Sequence, residues 1–180
     1  MSESPARLQA LAASARDFFV ATGEESAGDP YDFLVNFLAD ARRALEMDIA
    51  FVARFADDQR VFKIVSASAA HPEGVVVGAS DPLVDSYCKL VVEGRLPRAI
   101  ADASELPLAA AMAITKRLDI RAYLSVPIVL PDGSVYGTLC CFSHLPRPTL
   151  SSMDADALQA VADVIAAALY RDAKLRDRVG

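Results

Sequence analysis

Few side chains in this sequence have the chemistry of a nucleophile, a redox centre or a metal ligand. The 180 residues include three cysteines, Cys88, Cys140 and Cys141, and two histidines, His71 and His144. Cys88 follows Tyr87 between two predicted elements and could serve as a redox thiol or a covalent attachment point. Thiolate chemistry needs a neighbouring positive charge or a helix N-terminus to lower the pKa. Lys89 is adjacent but points elsewhere on a helix, so the competing reading of Cys88 is a small buried hydrophobe. Cys140 and Cys141 fall in one predicted strand, where neighbouring side chains point to opposite faces. Thiols so placed cannot jointly ligate a metal as a Cys-x-x-Cys pair does, and core packing is expected of both. His71 sits in an irregular stretch and His144 at a strand end close to Pro146, so solvated loop histidines are expected rather than haem or metal ligands. No His-Glu-x-x-His, phosphate-binding loop or Gly-x-Gly-x-x-Gly pattern occurs. Asp102 follows a short apolar strand, where a carboxylate either caps the next turn or accepts a hydrogen bond from a ligand. These residues point to no catalytic centre and no metal site.

Composition narrows the class. Net charge is −6, the hydrophobic fraction 53% and the charged fraction 23%, as in a folded single domain with a substantial core. Lysine and arginine are scattered, which argues against a nucleic-acid surface. No apolar run reaches membrane-spanning length, because Asp163 interrupts the longest candidate. The first residues lack the layout of a signal peptide, and three cysteines make no secretory disulfide framework. A cytoplasmic location is expected, with no nucleic-acid or membrane partner.

The elements that must position these side chains centre on residues 121–143. Two β-rich runs flank Pro131-Asp132-Gly133-Ser134, a turn in which glycine takes the positive φ. Val126, Ile128 and Leu130 alternate with more mixed positions, whereas residues 135–142 are apolar on both faces, the mark of a strand covered on two sides. Upstream, apolar spacing predicts a helix over 6–22 ended by Gly23. Asp29-Pro30 reads as an N-cap and first-turn proline opening a second helix. Strands follow at 48–55 and 61–67 around an Asp57-Asp58 turn, then an ordered loop over 68–80. Asp81-Pro82 is read as the cap of a short helix through Val92; residues 98–100 form a short strand, and 108–118 a helical piece. Ser151 and Asp154 form a capping box for a last helix. If that helix runs over 152–178 it is about 40 Å long, at roughly 1.5 Å per residue, more than a sheet can cover. A helix that overshoots its domain usually meets a partner or leads into another domain.

Taken together, Tyr123-Leu-Ser-Val-Pro-Ile, the Asp132-Gly133 turn and Gly137-Thr-Leu-Cys resemble the C-terminal half of a GAF domain. Tyr87-Cys88-Lys-Leu-Val-Val-Glu-Gly94 followed by Pro97-Arg-Ala-Ile-Ala-Asp102 resembles that family's middle segment. The resemblance runs from about residue 29 to 169. It divides the chain into an N-terminal helix and linker (1–28), a GAF domain (29–170) and a helical extension (171–180). The implied fold is α/β, with a central antiparallel sheet, the N- and C-terminal helices on one face and a ligand pocket on the other. Tyr87, Cys88, Asp102, Tyr123, Ser125 and Cys140 would line the pocket side. The implied function is a non-catalytic sensor that binds a small molecule of unknown identity. Signal would pass through terminal helices to a homodimer partner or an output domain. Two other expectations compete: a thiol-based reductase of free methionine sulfoxide, and a ligand-free dimerisation module. For the first, the segment 116–121 lacks the cysteine that such reductases carry. Bilin-binding relatives show a Cys-His pair after the pocket helix; residues 108–118 have neither, and Cys88 is followed by lysine. The cyclic-nucleotide signature is absent too, Asn36 being the only asparagine.

Overall fold

The computed structural model describes residues 3–21, 29–68 and 74–180. Its framework is a six-stranded antiparallel sheet made by β1 (Ile49–Ala56), β2 (Gln59–Ala67), β3 (Ser80–Pro82), β4 (Ala99–Ile100), β5 (Ala122–Val129) and β6 (Val135–Ser143). Their order is β3-β2-β1-β6-β5-β4. The hairpin expected at 121–143 is present, with Gly133 at φ +85°. As its apolar composition required, β6 lies in the middle, between β1 and β5. Gly137 has a steric reason there, since a Cβ would lie 1.9 Å from the Ala53 carbonyl oxygen of β1.

Four helices cover one face: α1 (Ser4–Ala21), α2 (Pro30–Ala44), α6 (Ser152–Arg171) and α7 (Ala173–Val179). Their apolar stripes meet the sheet in a core that includes Leu8, Leu34, Val52, Leu124, Leu158 and Val161. Asp29 caps α2 by accepting the Tyr31 N–H at 2.8 Å, and Pro30 opens it. Asp154 accepts the Ser151 N–H at 2.9 Å, completing the expected capping box of α6. On the opposite face lie α3 (Tyr87–Val92), α4 (Pro107–Ala111), α5 (Ala113–Arg117) and the connecting turns. The core there is built from Phe51, Phe62, Tyr87, Ile114, Tyr123 and Phe142.

Three expectations need correction. The final helix does not run to residue 178. It ends at Arg171, where Asp172 leaves helical geometry (φ −98°, ψ 107°) and caps α7 through a 3.1 Å bond from the Leu175 N–H. Leu175 and Val179, four residues apart, are thereby buried against the domain; each apolar side chain so covered is worth roughly 1.5–3 kcal/mol. Arg178 pairs with Asp29 and sits 4.5 Å over the Tyr31 ring, while Lys63 Nζ donates to the Gly180 carbonyl at 3.2 Å. Next, Asp81-Pro82 does not cap a helix: Ser80–Pro82 pairs with β2, and Ser86 caps α3 instead. Finally, the helical piece over 108–118 is two short helices broken at Met112, which is extended at ψ 134°. Gly23 and His71 lie outside the described residues.

A register shift decides which side chains of β2 face which layer. Val52 pairs with Ile64 but Ala53 with Phe62, so Lys63 is an extra residue in β2. Val52 and Ile64 belong to the helix-side core, Ala53 and Phe62 to the opposite one. A bulge of this kind bends a strand and re-aims its side chains. Beyond it, Arg60 shares a side with Phe62 and turns inward.

Candidate functional site

The sheet face away from the terminal helices holds a buried polar cluster. Cys88, on the first turn of α3, places its Sγ 3.4 Å from Cys140 Sγ of β6 and 3.3 Å from the Tyr123 hydroxyl of β5. Cys140 also lies 3.1 Å from Ser125 Oγ and 3.2 Å from Thr138 Oγ1. Period-2 alternation accounts for these neighbours: Ser125 stands opposite Cys140 across the β5–β6 ladder, and Tyr123 opposite Phe142. Cys141 points to the helix-side core, as expected. The Tyr87 ring packs at a tilt against Tyr123, with centroids 4.7 Å apart, and its hydroxyl shares a 2.7 Å hydrogen bond with Thr115 of α5. The structure thus brings together Tyr87, Cys88, Tyr123, Ser125 and Cys140. Asp102 stands apart from them. Its carboxylate accepts from Ser104 and pairs with Arg121 at 3.0 Å, which is turn capping. The Arg121 guanidinium and the Ser104 donors hold that carboxyl at about 2.

Sequence reasoning missed the charged half of the cluster. Arg60 is only 2% exposed. It grips Asp81 with two bonds, Nε to Oδ1 at 2.8 Å and Nη2 to Oδ2 at 2.5 Å, and directs Nη1 at Cys88 Sγ, 3.4 Å away. Its guanidinium packs near the Phe51 and Phe62 rings, 5.4 and 4.9 Å from their centroids. Asp81 is held in place by the β2–β3 ladder, directly opposite Arg60. Arg117 of α5 adds a second contact to Asp81, 3.2 Å from Oδ2. Burying one ion is costly unless it is paired and hydrogen-bonded, and two guanidinium groups share this one carboxylate. Arg117 is largely exposed, whereas the buried Arg60 turns its third nitrogen toward Cys88.

Burial and the contacts of each sulfur set the order in which the thiols ionise. Burial opposes a thiolate at Cys88 most strongly. The hydrogen bond from Cys140, the Arg60 charge and bonds from Thr138 and Tyr123 outweigh it and pull this thiol below the ordinary range. At Cys140 burial, reinforced by the hydrogen bond and charge of Cys88, pushes the pKa well up. Burial together with the neighbouring sulfur charges likewise keeps the Tyr123 hydroxyl protonated and able to donate. The pair therefore divides into one sulfur suited to carry charge and one suited to keep its proton. An arginine following two turn aspartates, placed to alternate with Phe62, was the available signal. The bulge that confirms its inward direction is not visible in the sequence.

Beside the cluster a cleft of about 440 Å³ opens between β3, α3 and α5. Leu90 and Ile114 belong to both the cleft wall and the buried core, and Asp81, Asp85, Arg95 and Arg117 supply its charged groups. His144, just past the end of β6 and four residues beyond Cys140, turns elsewhere and places Nδ1 2.9 Å from the Asp119 carbonyl oxygen. Among the described residues no group of histidine, cysteine and carboxylate side chains is arranged to hold a metal. Among them also, no helix is long and apolar enough to cross a membrane.

The sheet is thus covered on one face by the terminal helices and on the other by short helices and turns around a buried polar cluster. The GAF domain family model matches residues 29–169, so the chain belongs to the GAF family. Solved structures agree on the fold. A protein of Burkholderia vietnamiensis described as a GAF sensor is 21% identical, with TM-score 0.65 over 90% of this chain and 93% of that one. The phycocyanobilin-bound GAF domain of a cyanobacterial phytochrome is 17% identical, with TM-score 0.67 over 88% and 93%. The chromophore-binding domain of a bacteriophytochrome from R. palustris is 16% identical, with TM-score 0.65 over 89% of this chain and 60% of that one. No curated protein sequence matches.

Proposed function

We propose that this GAF domain is a non-catalytic cytoplasmic sensor that binds a small molecule on the face opposite its terminal helices. One observation carries the reading: a cleft of about 440 Å³ abuts a buried Arg60–Asp81 pair there. Cavities of a few hundred Å³, mostly apolar with a few convergent polar groups, are the usual form of small-molecule sites. The charged groups offered are those of Asp81, Asp85, Arg95 and Arg117, with Tyr87, Cys88, Tyr123, Ser125 and Cys140 buried behind the wall. Related structures include bilin-bound domains; this chain lacks the Cys-His pair expected for covalent bilin attachment, so another ligand class is proposed.

The relay proposed is a change in packing of α1 and α6 across a homodimer, passed to an output domain. For this to operate, the ligand must bind one helix arrangement better than the other. The folded-back α7 removes the overshooting helix as an argument for dimerisation. Support comes instead from Val20, 72% exposed near the end of α1, and Tyr170, 50% exposed near the end of α6. Val20→Glu should then lower the dimer fraction in sedimentation analysis, and a monomeric parent protein would refute the dimer.

Native mass spectrometry of the chain purified from its host, set against the denatured mass, tests the ligand. An added mass lost on denaturation and absent from an Ile114→Trp variant supports the reading. A clean mass in both, with no thermal shift across a metabolite library, overturns it.

A further inference from the structure

The two sulfurs facing each other across α3 and β6 have a geometry that small-molecule binding does not call for. Their separation is 3.4 Å, Arg60 Nη1 donates to Cys88 Sγ at 3.4 Å, and the Tyr123 hydroxyl lies 3.3 Å from the same sulfur. An apolar core has no need of a guanidinium at a thiol, because two small hydrophobes pack without one. The direction of Arg60 has the same implication: Asp81 takes its Nε and Nη2, and the remaining nitrogen, Nη1, is aimed at Cys88 Sγ.

We propose that Cys88 and Cys140 form a peroxide-responsive dithiol, in which Cys88 is the attacking sulfur and Cys140 resolves it to an intramolecular disulfide. The inference does not rest on the small-molecule reading. The chemistry balances with a hydroperoxide as the only oxidant. The Cys88 thiolate attacks the terminal oxygen, the O–O bond breaks, and an S–O bond forms. The departing alkoxide or hydroxide takes up the proton that the Cys88 thiol released on ionising and leaves as alcohol or water, and Cys88 becomes a sulfenic acid. Cys140 then attacks the Cys88 sulfur, an S–S bond forms, and hydroxide departs with the Cys140 proton as water. Two thiols and one peroxide thus give one disulfide, one alcohol and one water. The Arg60 guanidinium lies where it can stabilise the sulfur anion before attack and the departing oxygen anion afterwards.

Both sulfurs are fully buried, so the oxidant must be small. The cleft brings solvent to Leu90, Ile114 and Asp81, the groups that pack against or pair with the cluster. Bond formation shortens the sulfur separation from 3.4 Å to about 2.0 Å and draws α3 toward the sheet. Because Leu90 of α3 lines the cleft, oxidation would alter its shape. Cys141 serves as an internal control. It is buried on the other face, and burial, only partly offset by Arg42, lifts its thiol to about 12.

The test is a peroxide titration of the full chain, quenched by alkylation under denaturing conditions and read by intact mass and peptide mapping. The expected result is a fall from three alkylated thiols to one, reversed by dithiothreitol, with a Cys88–Cys140 cross-linked peptide and Cys141 still alkylated. In Cys140→Ser the reaction should stop at a dimedone-reactive sulfenic acid on Cys88, and Cys88→Ser should retain both remaining thiols. Three thiols surviving peroxide concentrations that oxidise a small-molecule thiol would overturn the proposal, as would preferential oxidation of Cys141. Should the serine variants fail to fold, the ultraviolet thiolate absorbance of the parent protein decides. A thiolate present at neutral pH and lost on denaturation at the same pH supports it; thiolate appearing only with alkaline unfolding refutes it. A disulfide persists through denaturation and a bound ligand does not, so this experiment and the mass measurement of the small-molecule reading fail separately.

Discussion

Cys140 and Cys141 are neighbours in one strand, yet they live in two different proteins in the physical sense. Cys141 joins a helix-side core of leucine, valine and alanine assembled from α1, α2, α6 and α7. Cys140 joins a core in which an arginine, an aspartate, tyrosines, a serine and a threonine are buried beside the phenylalanines. The first face is closed by long helices, the last of them opened by the Ser151–Asp154 capping box, and by a folded-back tail. The second is closed by helices of five or six residues and turns. One layer is built for apolar burial, which is non-directional and tolerant. The other depends on groups that must be paired one by one, and its covering elements are short enough to move independently.

The sharpest way to break this comparison is to remove Asp81. Asp81→Ala leaves the Arg60 guanidinium buried without a carboxylate and should cost about 3–5 kcal/mol, measured by urea denaturation. A cost below about 1 kcal/mol would mean that water already reaches Arg60 and that the cluster is not sealed. On the helix face, Leu158→Ala should cost about 2–5 kcal/mol through lost transfer energy and a residual cavity. The two should differ in salt dependence: the leucine effect should be indifferent to ionic strength, and the aspartate effect should change with it.

Alkaline titration compares the faces through their protons. Burial raises Cys140, Tyr123 and Tyr87 on one side and Cys141 on the other. A group whose folded pKa is raised gives stability that is complete below its unfolded value and is lost as pH climbs toward the folded one. Stability should therefore fall from about pH 9 upward, by at most about 1.4 kcal/mol per pH unit for each titrating group. Cys141→Ala should flatten that slope by one group's share. Cys88, whose folded pKa is lowered, acts with the opposite sign and should add stability as pH rises toward 9. An unchanged slope in the Cys141 variant would mean that this thiol titrates normally in the folded state. The smallest expected effect is at the tail: Arg178→Ala removes a partly exposed ion pair with Asp29 and a ring contact, worth about 0.5–1 kcal/mol. Amide exchange over residues 173–179 reads it more finely than a melt does.

Much of the architecture was legible because it depends on local periodicity and capping. The hairpin over 121–143, the Asp29-Pro30 start, the 151–154 box and the opposition of Cys140 to Cys141 all follow from rules spanning a few residues. The tail misled because alternating charges concealed Leu175 and Val179, and Asp172 can cap a new helix only if those two residues find a surface. Asp81 misled for a related reason. Asp-Pro is a good helix start in isolation, but an unpaired edge on β2 claimed it as a strand. Of the six residues expected on the pocket side, Tyr87, Cys88, Tyr123, Ser125 and Cys140 do gather on one face. They lie in the core behind the cleft rather than in its wall, and Asp102 caps a turn apart from them.

The sequence by itself therefore determined the family, the central hairpin and the face on which Tyr87, Cys88, Tyr123, Ser125 and Cys140 would gather. Only the tertiary structure decided that Arg60 turns inward, that Asp81 meets it, and that two thiols 35 and 17 residues away from or beyond Tyr123 stand 3.4 Å apart. The reason is physical. Periodicity reports which face a side chain uses, whereas a one-residue bulge and the docking of a six-residue helix set distances between faces, and those depend on contacts far apart in the chain.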